Sequence, residues 1–124
     1  MLKKGLTASS ITTVVAENTA AQMGSGDLAV FATPAMVALM ENAAMQAVAP
    51  ALAEGETTVG AEMNTTHLKP SGLGSVITAT AVLTEVEGRK LTFTVGARDA
   101  EGMIGEGVHV RFVVQRERFM SKVK

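Results

Sequence analysis

The 124-residue chain contains no cysteine. Disulfide bridges, thiolate metal sites and cysteine nucleophiles are thereby excluded, and the chain is at ease in a reducing compartment such as the cytoplasm. It also lacks an excess of positive charge. Only 11 basic residues stand against 12 acidic ones, so the phosphate contacts of nucleic-acid binding have no electrostatic basis. The amino terminus, Met1 to Ser10, carries positive charge but no unbroken apolar core, and does not read as a secretory signal. Asn64-Thr65-Thr66, formally a glycosylation acceptor, is then a chance match. The longest apolar stretch is interrupted by Glu41, Asn42 and Gln46, bracketed by Pro34 and Pro50, and built from Ala and Met more than Leu, Ile and Phe. It reads as a buried helix and not a membrane span. Repeats, linkers and low-complexity tracts are missing too. The length suits one domain, 1–124, that buries roughly two-thirds of its unfolded surface without a metal or disulfide staple.

What is present divides by hydrophobic period. Leu6, Ile11, Val14 and Val15 among Ser and Thr predict a first strand between Gly5 and Glu17, and Gln22 to Asp27 is a loop by composition. Thr33-Pro34 marks a helix start: a hydroxyl able to cap free amides, then a proline where its missing N–H does no harm. The helix is expected to run to about Ala49, with Pro50 and Gly55 closing the region. Met36, Leu39, Met40, Ala43, Ala47 and Val48 keep helical spacing, but the other faces are mostly Ala and Val, so this helix should be enclosed nearly all round.

After Gly55 the period becomes two, and Val59, Ala61, Met63, Thr65 and His67 share one parity. Lys69 to Gly74 is a turn-rich loop, Ser75 to Glu87 a strand, and Glu87-Gly88-Arg89-Lys90 a hairpin returning through Leu91 to Asp99. A last strand is expected from about Met103 to Phe119, bent or bulged at Gly105 and Gly107. A strand, a long helix and four strands joined mostly by short turns imply an α+β fold, a mainly antiparallel sheet around one helix.

Glu41 is the only ionisable side chain between Asp27 and Glu54. A carboxylate in so apolar a segment costs several kcal/mol unless something uses or neutralises it. It is either one residue of a solvated stripe on an ordinary helix or a reacting group, since a carboxylate held out of water is a stronger base than a solvated one.

Phe31-Ala32-Thr33-Pro34-Ala35-Met36-Val37-Ala38-Leu39-Met40-Glu41-Asn42-Ala43-Ala44, followed by Val59-Gly60-Ala61-Glu62-Met63-Asn64-Thr65-Thr66-His67, resembles the hotdog-fold acyl-CoA thioesterases, within them the fluoroacetyl-CoA thioesterase group. Val86 to Leu91 and Gly105 to His109 extend the likeness. The resemblance implies a five-stranded antiparallel sheet wrapped around one long central helix. It implies a metal-independent hydrolase that splits an acyl-CoA thioester into a carboxylate and free CoA, with no cofactor beyond the coenzyme A of the substrate. It puts the catalytic set on Thr33, Glu41 and His67, and a glycine beside the acyl pocket on Gly60. Fluoroacetyl-specific relatives carry extra aromatic side chains ahead of this helix, whereas Ala20 to Val30 has none and Phe31 stands alone. Phe31 with Met23, Leu28, Met36 and Met40 offers a soft apolar lining for a short or medium acyl chain.

Thioester hydrolysis needs an activated water or nucleophile, an acid or base near neutrality, and donors facing the developing oxyanion. Glu41 can serve as the base or as a nucleophile forming an anhydride, His67 can pass the proton, and the amides at a helix start suit the thioester oxygen. Thr33 and Glu41, eight residues apart on one helix, are separated by about 12 Å along its axis and about 80° around it. They can hardly touch one atom from a single chain. The reactive centre is therefore expected at the twofold interface of a homodimer, alone or paired into a dimer of dimers. In the basic tail, Arg116 and Arg118 are candidates for CoA phosphates; His109 is read as structural. Two rivals share the fold. A noncatalytic acyl-CoA-binding protein would need no polar set, and a hydratase would want an Asp and a His close together in one loop, which the sequence does not offer.

Overall fold

The computed structural model describes residues 1–124. Strands β1 (Thr7–Thr13), β2 (Glu56–His67), β3 (Val76–Glu87), β4 (Lys90–Asp99) and β5 (Gly102–Gln115) form one sheet in the order β1-β3-β4-β5-β2, every pair antiparallel. Three helices accompany it: α1 (Ala20–Met23), the long α2 (Thr33–Val48) and α3 (Arg116–Ser121). Alternation makes the core. Ile77, Ala79, Ala81 and Leu83 on β3, and Leu91, Phe93, Val95 and Ala97 on β4, are buried at every second position. Onto them α2 lays Met36, Met40, Ala43, Ala44, Ala47 and Val48. Alanines on both surfaces bring helix and sheet close, and the methionines and phenylalanines fill the remaining space.

Only one face of α2 is enclosed. Ala38 is exposed and Val37, Glu41 and Met45 are half-buried, so the expected all-round enclosure is missing on the side that carries Glu41. Thr33 is the first helical residue and not the cap; Ala32 holds that position, with no side chain on the free amides. The reason is tertiary, because the Thr33 hydroxyl is engaged by His67. At the carboxyl end β5 stops at Gln115, whose side chain accepts a hydrogen bond from the Arg118 amide and starts α3. The basic tail expected as strand is thus helical.

A bulge in β2 decides where the site residues point. The register against β5 shifts between Gly60 and Glu62, leaving Ala61 as the extra residue. The inward parity passes from Thr58 and Gly60 to Met63, Thr65 and His67, which are half-buried while Glu62, Asn64 and Thr66 are exposed. The single parity expected from Val59 to His67 is broken there. β2 is also the last strand in the order, so its outer edge has no partner within the chain. Across from its end, a Cβ on Gly105 would stand 2.6 Å from the Thr66 carbonyl and 2.7 Å from the Met36 sulfur. This glycine answers to close approach, beside a register shift in the β4–β5 pairing at Ala97/Arg98.

Candidate active site

Two clusters stand along β2. At its carboxyl end, Thr33 Oγ1 and His67 Nδ1 are 2.8 Å apart. Burial holds the His67 imidazole below 6.5, with the Lys69 backbone pulling the other way. Its Nε2 is out of water and makes no hydrogen bond. A neutral imidazole that accepts from Thr33 through Nδ1 polarises the hydroxyl. The pair opens onto a cleft of about 280 Å³ lined by Ala20, Ser25, Val30, Phe31, Lys69 and Pro70. The loop after β2 is tied down by Asp99, which accepts from Lys69 Nζ at 3.1 Å, Ser71 Oγ at 2.9 Å and the Glu101 amide at 2.9 Å. The Glu101 amide above all, then Ser71 and Lys69, hold the Asp99 carboxyl below its usual range against the opposing effect of burial.

The second cluster lies midway along β2. Glu41 sits there, half-buried and not enclosed as the apolar sequence around it suggests, in a shallow cleft of about 280 Å³ with Ala38, Asn42, Met45, Gly60 and Arg111. A Cβ on Gly60 would lie 2.9 Å from Glu41 Oε2, 3.4 Å from Arg111 Nη1 and 3.4 Å from His109 Cε1. The missing side chain is what lets these three groups face one another.

Behind them runs a fully partnered network. Arg111 donates through Nε to Thr58 Oγ1 at 2.8 Å and through Nη2 to the Thr58 carbonyl at 3.0 Å, and its Nη1 is 3.1 Å from His109 Nε2. A guanidinium can only donate, so His109 Nε2 is the acceptor and the ring proton sits on Nδ1, which donates to the Glu62 carbonyl at 2.8 Å. That carbonyl comes from the bulge. Burial, supported by the Arg111 charge, keeps His109 below 6.5 against the Glu62 hydrogen bond and Glu41; burial also lowers Arg111, with Glu41 opposing.

Among the expected site residues, the fold thus joins Thr33 to His67 and Glu41 to Gly60, but the two pairs do not meet within one chain. Phe31 borders the His67 cleft, almost wholly buried. Met36 and Met40, expected along the acyl pocket, are fully enclosed in the core and face neither cleft. Met23 and Leu28 are exposed. Arg118 lines a groove of about 240 Å³ with Arg89 and Lys122, whereas Arg116 does not. His109 and Arg111, given no part in the reaction by the sequence, had one signal: two polar side chains at i and i+2 in the otherwise apolar run Val108 to Val114.

Residues 14–117 match the family model described as fluoroacetyl-CoA-specific thioesterase. The chain belongs to this family. It is 44% identical over 95 residues to the fluoroacetyl-CoA thioesterase of Streptantibioticus cattleyicolor, covering 77% of this chain and 68% of that protein. A solved structure of the fluoroacetyl-CoA thioesterase FlK superposes with a TM-score of 0.92 at 35% identity over 99% of this chain and 96% of that one. A variant of FlK in complex with acetyl-CoA gives 0.93 at 34% identity, covering 98% and 96%. A thioesterase superfamily member from Thermus thermophilus gives 0.90 at 27%, covering 98% and 90%. The curled antiparallel sheet around α2 is the hotdog fold of these thioesterases, and the chemistry of this family member is hydrolysis of acyl-CoA thioesters.

Proposed function

We propose that residues 1–124 act as one hydrolytic domain that cleaves a short or medium acyl-CoA at a site shared by two copies of the chain. Glu41 of one copy faces the Thr33–His67 pair of the other. The carrying observation is the separation within one chain of a hydrogen-bonded Thr33–His67 pair from a carboxylate held over Gly60. Two features favour the shared site. β2 presents an unpaired edge, which a second β2 can complete about a twofold axis. The open stripe of α2, with Ala38, Glu41 and Met45, offers apolar surface for such a partner to cover.

In this site Glu41 either activates water for attack on the thioester carbonyl or attacks it directly; the C–S bond breaks and CoA leaves as the thiolate, which is protonated, and in the second case water then hydrolyses the anhydride and restores the carboxylate. His67 moves the proton through Nδ1 and Thr33, and the first amides of α2 face the oxyanion. These groups suffice without a metal or a cofactor other than the substrate's own coenzyme A. Arg118, in the groove with Arg89 and Lys122, and the neighbouring Arg116 take the CoA phosphates. Reversing both Arg116 and Arg118 should raise KM for acyl-CoA, and an unchanged KM discards that part. No helix is long and apolar enough to cross a membrane, and a cysteine-free chain suits the cytoplasm.

The test is complementation. Glu41→Ala and Thr33→Ala proteins, each assayed with a thiol-detecting dye on an acetyl-CoA to hexanoyl-CoA panel that includes fluoroacetyl-CoA, should each fall by about 10³-fold. After mixing and verified subunit exchange, about a quarter of wild-type sites should return, since half the dimers are mixed and each holds one intact site. Exchange without recovery removes the shared site. Hydrolysis undiminished in both variants removes the residue assignment.

A further inference from the structure

A buried arginine calls for an explanation other than stability, because replacing a buried charge by an apolar side chain of similar volume is often neutral or stabilising. Arg111 is such a charge. It occupies an inward position of β5 beside Val113 and is almost wholly out of water. Its donors are committed on two sides: Thr58 holds Nε and Nη2 through a hydroxyl and a carbonyl, and His109 holds Nη1. Nη1 reaches the space above Gly60 that Glu41 Oε2 enters from the helix, yet Glu41 and Arg111 are not in ion-pair contact. Arg111 therefore supplies a fixed positive potential beside the carboxylate without consuming it.

That arrangement depends on the second histidine. His109 is fully buried, and its tautomer is set from behind by the Glu62 carbonyl, next to the Ala61 bulge. With the proton pinned on Nδ1, Nε2 is obliged to accept, and a guanidinium is the donor it meets. We infer that His109 is a positioning residue for the reaction: through Arg111 it holds the guanidinium that orients the Glu41 carboxylate over Gly60. The inference rests on Glu41 being the reacting carboxylate. It makes His109 an element of the catalytic apparatus although it touches neither Glu41 through a hydrogen bond nor the open cleft.

The two ring nitrogens can be tested apart. In His109→Asn the amide nitrogen stands near Nδ1 and can still donate to the Glu62 carbonyl, but nothing reaches Arg111. In His109→Gln the amide oxygen stands near Nε2 and can accept from Arg111. With fluoroacetyl-CoA and butyryl-CoA as substrates, His109→Asn should lower kcat by roughly tenfold to a hundredfold, the scale of one charge-assisted hydrogen bond, with KM within about twofold of wild type. His109→Gln should recover most of the loss at comparable urea stability. In an Arg111→Gln background the further cost of His109→Asn should vanish, because the two residues act as one unit. Equal costs in both backgrounds, or a fall in stability with kcat intact, overturn the inference and leave His109 as packing alone. A second readout is independent of turnover: the Arg111 side-chain N–H signals in NMR should be resolved and slow to exchange in wild type and His109→Gln, and averaged in His109→Asn. Identical Arg111 signals in all three proteins also overturn it. If wild type hydrolyses neither substrate, the Glu41 reading fails while the NMR comparison still judges the His109–Arg111 link.

Discussion

The two histidines of this chain stand in opposite states. His109 has both ring nitrogens engaged, one by the Glu62 carbonyl and one by Arg111, and no exposure. His67 has a single partner, Thr33, and an Nε2 with none, at the edge of an open cleft. Both are kept below the ordinary imidazole range chiefly by burial. The direction of the shift therefore does not separate them; satisfaction does. A fully bonded imidazole resists changing its protonation, because any change breaks a bond, whereas His67 can gain a proton on Nδ1 and keep its one partner, since the Thr33 hydroxyl can accept as well as donate. The same residue type serves as scaffold in one place and as reagent in the other.

That contrast can be broken by substitution. The largest effect is expected at His67: His67→Ala should lower kcat by about 10²- to 10⁴-fold, with unfolding by urea little changed, since it removes a half-exposed side chain with one partner. Parallel losses of stability and activity would mean that His67 is structural too. His109→Ala should instead act on the fold as well as on turnover, destabilising the protein by roughly 2–4 kcal/mol in urea melts, because it strands a buried carbonyl and a buried guanidinium N–H together. A change under about 0.5 kcal/mol would contradict a satisfied network there.

Gly60→Ala sharpens the comparison from the Glu41 side. The new methyl would stand 2.9 Å from Oε2, the far end of a flexible side chain, so the fold should survive while the carboxylate is displaced. Turnover should drop about tenfold, with stability within about 1 kcal/mol of wild type. Unaltered kcat would show that the carboxylate position is not critical. The smallest effect is that of pH. Each histidine titrates lower in the folded chain than its unfolded 6.5, so the unfolded chain binds more protons on the acid side and stability rises with pH there. Their contribution is complete above 6.5 and is lost as pH falls through the depressed folded values. The urea midpoint should be lower at pH 5 than at pH 7, and His67→Gln should narrow that gap. The acid limb of kcat/KM should likewise have its midpoint below 6.5.

Much of the architecture could be read from local patterns. Thr33-Pro34 and Pro50 bracket α2, and alternation through β3 and β4 needed only one sheet face on a helix. Local pattern misled where a distant residue competed for a local role. The Thr33 hydroxyl suits a cap by type, but His67, 34 residues away, engages it. The tail after Gln115 has no glycine or proline to end a strand, and the Gln115 side chain starts a helix there instead. Within the site, the resemblance singled out Thr33, Glu41 and His67, yet not the meeting of Glu41 with Arg111. That meeting joins α2, β2 and β5 and depends on an inter-strand offset, which no single segment encodes.

Ala61 carries a consequence out of proportion to its size. Counting outward from Thr58, an unbroken ladder would put Glu62, Asn64 and Thr66 on the helix side and turn His67 away from it. Drawing Ala61 into the ladder would keep every side chain named in either cluster, and most of the apolar core, yet leave Thr33 facing a threonine instead of an imidazole, whereas deleting the residue outright would remove the bulge and leave His67 on the helix side. In this fold the single residue that one strand leaves out of its ladder is as much a determinant of reactivity as the identity of any group on it.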